Sequence, residues 1–156
     1  MHDIVNRLRA KKQDEGFTLI ELLVVVVIIG VLVAIAVPVY LNYRQGAADK
    51  SAQSDVRGAI SAVEQYYTDN GNAYPAPAAG LVNQTTSPIT IGNQKITLSD
   101  KTHLTLYLAS ATATSYKICA YNVGGTANKY YLYDSSVGGS VQAVTSTSST
   151  YMTACS

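Results

Sequence analysis

The stretch GFTLIE at residues 16–21 places one carboxylate directly before a long apolar run. The run, residues 22–41 with the sequence LLVVVVIIGVLVAIAVPVYL, contains no charged side chain and no side-chain amide. A helix of this length extends about 30 Å, which is the hydrocarbon thickness of a bilayer. A carboxylate at the edge of a membrane-spanning helix is costly unless a positive group lies nearby, so Glu21 indicates a functional role.

An amino terminus is the most economical positive partner for Glu21. If the chain is cut between Gly16 and Phe17, the new ammonium group lies one helical turn from Glu21, because residues four apart share a helix face. The motif therefore combines a cut site, an aromatic first residue, a carboxylate and an apolar run in one fixed register.

Residues 11–43 resemble the processing region of the type IV pilins, where a basic leader ends in glycine and is followed by phenylalanine, threonine, two aliphatic residues and glutamate. The resemblance implies that a prepilin peptidase cleaves between Gly16 and Phe17 and that Phe17 is then N-methylated. It also implies that Glu21 pairs with the Phe17 ammonium of an adjacent subunit and so aligns the packed helices.

Gly30 and Pro38 interrupt the apolar run. Proline removes a backbone donor and usually kinks a helix, so an ordinary kink in a membrane helix is one interpretation. The resemblance implies another interpretation. In filaments of the type IV pilins the stretch between such a glycine and proline loses helical order, which lets subunits pack and the fibre stretch.

The basic residues before the apolar run predict a cytoplasmic N-terminus and an exported C-terminal domain. A cleaved secretory signal and a plain single-pass anchor have similar basic flanks. The run is longer than the core of a signal peptide, however, and no small-x-small cleavage site follows it. A plain anchor leaves Glu21 and the Gly-Phe junction without explanation. The four basic leader residues are Arg7, Arg9, Lys11 and Lys12.

The chain is predicted to have an α+β fold with four segments, the layout of the pilin fold. Residues 1–16 form the cleaved leader, and residues 17–43 form a hydrophobic helix for membrane insertion and assembly. Residues 44–70 continue as an amphipathic helix. Residues 71–156 form a globular antiparallel β domain with a connecting loop and a C-terminal disulfide loop.

Within the amphipathic segment, apolar residues recur at spacings of three and four, which predicts one buried helix face. This stripe consists of Ala48, Ala52, Val56, Ala59, Ile60, Val63, Tyr66 and Tyr67. The opposite face is expected to contact water and carries Asp49, Lys50, Ser54, Asp55, Arg57 and Glu64. The sequence Asp69-Asn70-Gly71 is predicted to end the helix.

Short alternating runs beyond the helix predict strands, which we expect to form one antiparallel meander across the apolar stripe. They cover residues 89–91, 95–98, 104–108, 116–121 and 130–134. The glycine pairs at 124–125 and 138–139 are interpreted as turns, and the Ser/Thr tract at 145–150 as an exposed loop.

The chain has two cysteines, Cys119 and Cys155, and neither lies in a CxxC motif. In an oxidising compartment the simplest outcome is one disulfide, which stabilises a loop of this length by about 3–4 kcal/mol. Because the only histidines are His2 and His103, a metal site is not expected.

The sequence contains no arrangement typical of an enzyme. A Ser-His-Asp arrangement would have only His103 as its base. The sequence has no phosphate-binding glycine loop, and no motif contains a pair of carboxylates. Twelve tyrosines are present, but no Lys/Arg groove accompanies them. We therefore predict no enzymatic activity, no cofactor and no specific nucleic-acid binding by the isolated subunit.

The resemblance implies a structural subunit of a type IV pilus, or fimbrium, that polymerises through its N-terminal helix into an extracellular filament for adhesion, twitching motility or DNA uptake. Its partners would be copies of itself, the prepilin peptidase, the cell membrane before assembly, and the pilus assembly platform and ATPase. One alternative is a pseudopilin of a type II secretion or competence system. The other is a single-pass anchored surface protein that does not polymerise.

The cysteines favour a pilus subunit over a pseudopilin. Secretion pseudopilins of the resembling kind often bind calcium near the C-terminus instead of forming a disulfide. Such a site needs clustered carboxylates, and only Asp100 and Asp134 occur beyond the helix.

Overall fold

The computed structural model describes residues 17–75, 81, 84–108 and 114–147. The chain divides into two compact units, Met1–Tyr40 and Leu41–Ser156. One helix, α1 (Leu19–Asp69), contributes to both units. All the described strands belong to the second unit. The predicted leader, residues 1–16, lies outside the described residues.

Helix α1 is 51 residues long and ends where the sequence predicts. Gly71 follows it with a left-handed φ of 67°, a backbone conformation in which glycine has no Cβ penalty. The backbone N–H of Asn72 donates to the carbonyl of Tyr67 at 3.0 Å, which is the outer hydrogen bond of a Schellman motif. The Asp-Asn-Gly sequence therefore stops the helix by satisfying its last carbonyls.

The described strands are β1 (Ile89–Ile91), β2 (Gln94–Ile96), β3 (Thr102–Leu108), β4 (Tyr116–Asn122), β5 (Lys129–Asp134) and β6 (Gln142–Thr145). The last four form an antiparallel meander in the order β3-β4-β5-β6, and this sheet with its helix confirms the predicted α+β class. The prediction of one meander was wrong for β1 and β2, which pair only with each other among the described strands. Strand β6 was not predicted; it ends at the first residue of the Ser/Thr tract, and residues 148–150 of that tract lie outside the described residues.

The apolar stripe of α1 and one face of the sheet form a single hydrophobic cluster, as the periodicity predicts. Its helix residues include Ala52, Val56, Ala59 and Val63, and its sheet residues include Leu104, Leu106, Tyr116, Ile118 and Ala120. One amphipathic helix over one sheet face is therefore the core of the second unit.

The prediction that Asp49 and Asp55 face water was wrong, because both carboxylates are buried. Asp55 accepts hydrogen bonds from the backbone N–H and the hydroxyl of Ser99, at 2.8 and 2.9 Å. These donors come from the connection before β3, which folds over the edge of the helix. A buried carboxylate is tolerated where such donors replace water.

Asp49 has a denser set of donors in the turn between β4 and β5. The backbone N–H and the hydroxyl of Thr126 lie 2.9 and 2.8 Å from its oxygens, and Lys129 Nζ lies 2.8 Å away. Burial acts to raise the pKa of Asp49, but these hydrogen bonds hold that pKa below its ordinary value. The hydrogen bond to Asp49 in turn raises the pKa of Lys129. Both shifts favour the charged pair in the folded protein.

The carboxylate of Glu64 also contacts the sheet, although Glu64 is an exposed residue. The hydroxyl of the buried Tyr116 donates to Glu64 Oε1 at 2.6 Å. Burial and then this hydrogen bond raise the pKa of Tyr116. Three carboxylates of α1 thus contact three different segments of the sheet region.

Lys129→Met tests the buried ion pair. We expect it to lower the free energy of unfolding by about 1–3 kcal/mol near neutral pH, because Asp49 loses a charged donor. The depressed pKa of Asp49 stabilises the folded state above about pH 4, and this contribution disappears as pH falls through the folded-state pKa. The difference in free energy of unfolding between the unchanged chain and the variant should therefore become smaller below about pH 4. Denaturant unfolding of the full chain in detergent micelles measures this free energy for the variant and the unchanged chain.

Lys117→Met is the matched control, because Lys117 pairs with Asp134 at 3.5 Å with both side chains more exposed. Its expected effect is about 0–1 kcal/mol. Equal effects of the two substitutions would contradict a special contribution from Asp49.

Gly125→Ala tests how closely the turn approaches the helix. A Cβ at this position would collide with Asp49 Oδ1, so we expect a loss of stability of about 1–3 kcal/mol. Gly58→Ala is the control, since a Cβ there meets nothing within 4 Å on an exposed part of α1. That change should stabilise the helix by about 0.5–1 kcal/mol. Thermal unfolding of both variants measures these changes in stability. A Gly125→Ala variant that is as stable as the unchanged chain would contradict the close approach of the turn to Asp49.

Candidate assembly site

The first turn of α1 is closed by a reciprocal capping box between Thr18 and Glu21. The backbone N–H of Thr18 donates to Glu21 Oε2 at 2.8 Å, and the backbone N–H of Glu21 donates to Thr18 Oγ1 at 3.3 Å. The Thr18 hydroxyl also donates to Oε2 at 2.7 Å. Glu21 therefore satisfies backbone donors at the helix start, where a negative charge also interacts favourably with the helix dipole.

Sequence reasoning missed this function of Glu21, although the signal was present. A Ser or Thr followed three residues later by Glu or Gln is the pattern of a capping box, and Thr18-Leu19-Ile20-Glu21 matches it. All the hydrogen bonds to the Glu21 side chain from the described residues go to Oε2. Its other oxygen, Oε1, can accept a further donor.

Phe17, the residue expected to become the new N-terminus, is 83% exposed. Gly16 lies outside the described residues, so the predicted cleavage and the ammonium pairing of Glu21 stay predictions. In the uncut chain Phe17 contributes a peptide amide rather than an ammonium group.

The apolar part of α1 has no cover among the described residues. Its large side chains, from Leu22 to Leu41, are each about half exposed or more. The helix is long enough and apolar enough to cross a membrane by length and composition. An apolar surface this extensive normally marks contact with lipid or with other protein. This segment can therefore exchange one apolar environment for another.

The helix passes through Gly30 and Pro38 without a break in the single chain. A Cβ added to Gly30 would meet nothing within 4 Å, so no contact in this chain requires glycine there. The predicted loss of helical order between these residues concerns packed filaments and stays a prediction.

Cys119 is fully buried in β4 and takes part in a disulfide. Leu132, Tyr121, Tyr130 and Val144 pack around it. Cys155 lies outside the described residues, so the Cys119–Cys155 pairing stays a prediction. Within the described ranges, no group of three His, Cys, Asp or Glu residues is placed to hold a metal ion. This observation leaves the expected absence of a metal as a prediction for the whole chain.

The N-terminal motif and most of the chain are similar to known proteins. Residues 11–37 match the family model described as the prokaryotic N-terminal methylation motif. The chain is 35% identical over 115 residues to the type IV wide pilus major component PilA4 of Thermus thermophilus, covering 74% of this chain and 79% of that protein.

Other relatives are matched over shorter regions. The type II secretion system core protein G of Pseudomonas aeruginosa is 41% identical over 71 residues, which are 46% of this chain and 49% of that protein. The type IV major pilin protein PilE1 of Neisseria gonorrhoeae is 33% identical over 95 residues, which are 56% of this chain and 44% of that protein. The chain thus spans about half the length of these two relatives.

One relative is matched across most of both chains, and the methylation motif occupies the start of the exposed apolar helix. The chain belongs to the type IV pilin-like family.

Proposed function

We propose that the chain is a structural subunit of a type IV pilus and polymerises through the apolar part of α1 into an extracellular filament. The observation that carries this proposal is the uncovered apolar surface of residues 22–41 directly behind the methylation motif. The relative matched over most of its length is named as the major component of a wide pilus. The relatives named above are pilus or secretion components rather than enzymes, which supports a structural role.

The proposed route begins with a membrane-anchored precursor. The apolar helix and the methylation motif fit such a precursor, with its N-terminus in the cytoplasm. A prepilin peptidase would remove residues 1–16 and Phe17 would be methylated. Subunits would then leave the membrane as lipid around the helix is replaced by neighbouring helices. Because one apolar environment replaces another, extraction needs an energy source, which we assign to an assembly platform and ATPase.

Glu21 has two compatible tasks in this proposal. Its Oε2 atom caps its own helix through Thr18, while Oε1 can accept the Phe17 ammonium of an adjacent subunit. A packing register that leaves this carboxylate unpaired among apolar helices would be strongly disfavoured. The charge would thereby select one axial alignment of the subunits.

Gly30 and Pro38 complete the proposed assembly segment. Proline leaves a carbonyl of the preceding turn without its helical donor, and glycine lowers helix propensity in the middle of the run. The missing donor at Pro38 and the low helix propensity of Gly30 both weaken the helix around the segment between them. We assign to it the local loss of helical order on packing, and we assign the Cys119–Cys155 disulfide to the exported domain.

A second candidate is a pseudopilin, and one observation favours it. The identity to the secretion core protein is 41%, higher than to PilA4, although it covers less than half of either chain. The disulfide at Cys119 favours the pilus subunit instead. An anchored protein that does not polymerise would also have an apolar membrane helix, but it would not need a methylation motif.

Glu21→Gln and Glu21→Ala distinguish the negative charge of Glu21 from its capping of the first turn of α1. Glutamine can still serve in a capping box, but it cannot neutralise an ammonium group. We expect both variants to be cleaved between Gly16 and Phe17 and neither to form filaments. Thr18→Ala is the control, because it removes hydroxyl contacts while keeping the charge and the backbone N–H, and it should retain filaments. Electron microscopy and mass spectrometry of the N-terminus provide the measurements.

Normal filaments with Glu21→Gln would overturn the charge-pairing role. Material sheared from cells with the unchanged chain tests the wider proposal. An abundant species starting at methylated Phe17 is expected, lighter by two hydrogens for the disulfide. Mature protein found only in membranes would support a pseudopilin, and an uncut chain would contradict the proposed processing.

A further inference from the structure

The capping box determines the residue at which α1 begins. The carbonyl of Thr18 accepts a helical hydrogen bond from the backbone N–H of Leu22 at 3.3 Å. Thr18 thus occupies the N-cap position, and the first helical residue is Leu19. Phe17 lies before the N-cap and is 83% exposed. Because Phe17 contributes the nitrogen of the proposed cleavage bond, this side of the bond lies outside the helix.

Two backbone donors that a longer helix would need are used by the capping box. In a helix extended by one residue, the N–H of Glu21 would donate to the carbonyl of Phe17, four residues earlier. Here it donates to Thr18 Oγ1 at 3.3 Å. The N–H of Thr18 would likewise donate to the carbonyl four residues before it, but it donates to Glu21 Oε2 at 2.8 Å. The side chains of Thr18 and Glu21 therefore replace the bonds that would extend the helix toward Phe17.

The sequence before the cleavage bond favours a longer helix. Residues 7–13, with the sequence RLRAKKQ, all rank among the strongest helix formers. Gly16 lowers helix propensity, but a single glycine opposes a helix far less than proline does. The capping box supplies a second stop signal, and this signal lies directly after the bond between Gly16 and Phe17.

A peptidase needs a backbone segment that is free of helical hydrogen bonds, so that the carbonyl and the N–H of the bond can enter its active site. Susceptibility to cleavage therefore depends on the burial and hydrogen bonding of the local backbone. When opening of a segment is fast compared with cleavage, the cleavage rate follows the population of the open form. A residue that keeps the bond outside a helix raises this population without contacting the peptidase.

We propose that Thr18 is a positioning residue for the cleavage between Gly16 and Phe17. Through the capping box with Glu21, it makes α1 begin after Phe17 and so presents the bond in a non-helical form. Hydrolysis of that bond consumes one water and leaves a carboxylate on Gly16 and an ammonium group on Phe17. This inference rests on the processing step of the proposed function. The capping box thereby acts before cleavage, whereas the charge pairing of Glu21 follows it.

Cleavage kinetics of the full-length precursor with a purified prepilin peptidase in detergent micelles test this inference. Thr18→Val keeps the branched shape of the side chain but removes the hydroxyl, and valine is a poor N-cap. Thr18→Asn also lacks the hydroxyl, but asparagine is among the strongest N-caps. Thr68→Val is the matched control, because the Thr68 hydroxyl donates to the carbonyl of Glu64 at 2.9 Å in the last turns of α1.

We expect kcat/KM for cleavage to fall about threefold to tenfold in Thr18→Val and to change less than about twofold in Thr18→Asn and Thr68→Val. The NMR chemical shift of the Phe17 Cα is the conformational measurement. In Thr18→Val it should move toward the helical range, because the N–H of Glu21 becomes available to the Phe17 carbonyl. In Thr18→Asn it should stay outside that range. Because only the rate changes, the Thr18 variants still reach complete cleavage with time and can form filaments.

Cleavage of Thr18→Val as fast as that of the unchanged chain would overturn the inference while leaving the processing step intact. Equally slow cleavage of Thr18→Val and Thr18→Asn, with unchanged Phe17 shifts, would also overturn it, because the peptidase would then recognise the threonine hydroxyl directly. If the unchanged chain is not cut between Gly16 and Phe17, the result contradicts the processing step itself and the inference with it.

Discussion

The apolar surface around residues 22–41 is the constraint on which the rest of the structure depends. A helix that is apolar on every side cannot be covered by one small sheet, and among the described residues the core shared by α1 and the sheet begins at Ala52. Removing such a surface from water stabilises by about 25 cal/mol per Å². The helix therefore needs lipid or neighbouring helices along this segment, and the domain has to be built on what remains of it.

That remaining part of α1 combines an apolar stripe with inward-facing carboxylates. Asp49, Asp55 and Glu64 each accept a hydrogen bond from a different segment around the sheet. Apolar packing alone tolerates small shifts of a helix along a sheet, whereas a buried carboxylate that loses its donors is strongly destabilising. The two buried carboxylates, Asp49 and Asp55, consequently specify the axial position of α1 on the sheet, and the exposed Glu64 adds a third contact through Tyr116.

Periodicity was sufficient to predict the helix, its buried stripe and most strands, since each depends on local spacing. It was insufficient for Asp49 and Asp55, because these residues flank the stripe and their donors come from turns 77 and 44 positions away in sequence. Strand β6 was missed because its sequence, QAVT, has little apolar alternation. The separate β1–β2 hairpin was missed because strand pairing is not determined by strand pattern. The capping box was missed although its Thr-x-x-Glu spacing is local, because a carboxylate beside an apolar run equally fits pairing with an ammonium group.

In the proposed assembly the two oxygens of Glu21 have different partners. A carboxylate used only to pair with another subunit would be unsatisfied in the precursor, where no ammonium exists at Phe17. The capping bonds from Thr18 to Oε2 provide that satisfaction within one chain. The proposed cleavage would add an ammonium group at Phe17 without removing the backbone N–H of Thr18 or its hydroxyl. The helix start would keep both donors of its cap while Oε1 stays able to accept the ammonium group of an adjacent subunit, so the proposed processing would change the charge of the site without removing the capping bonds.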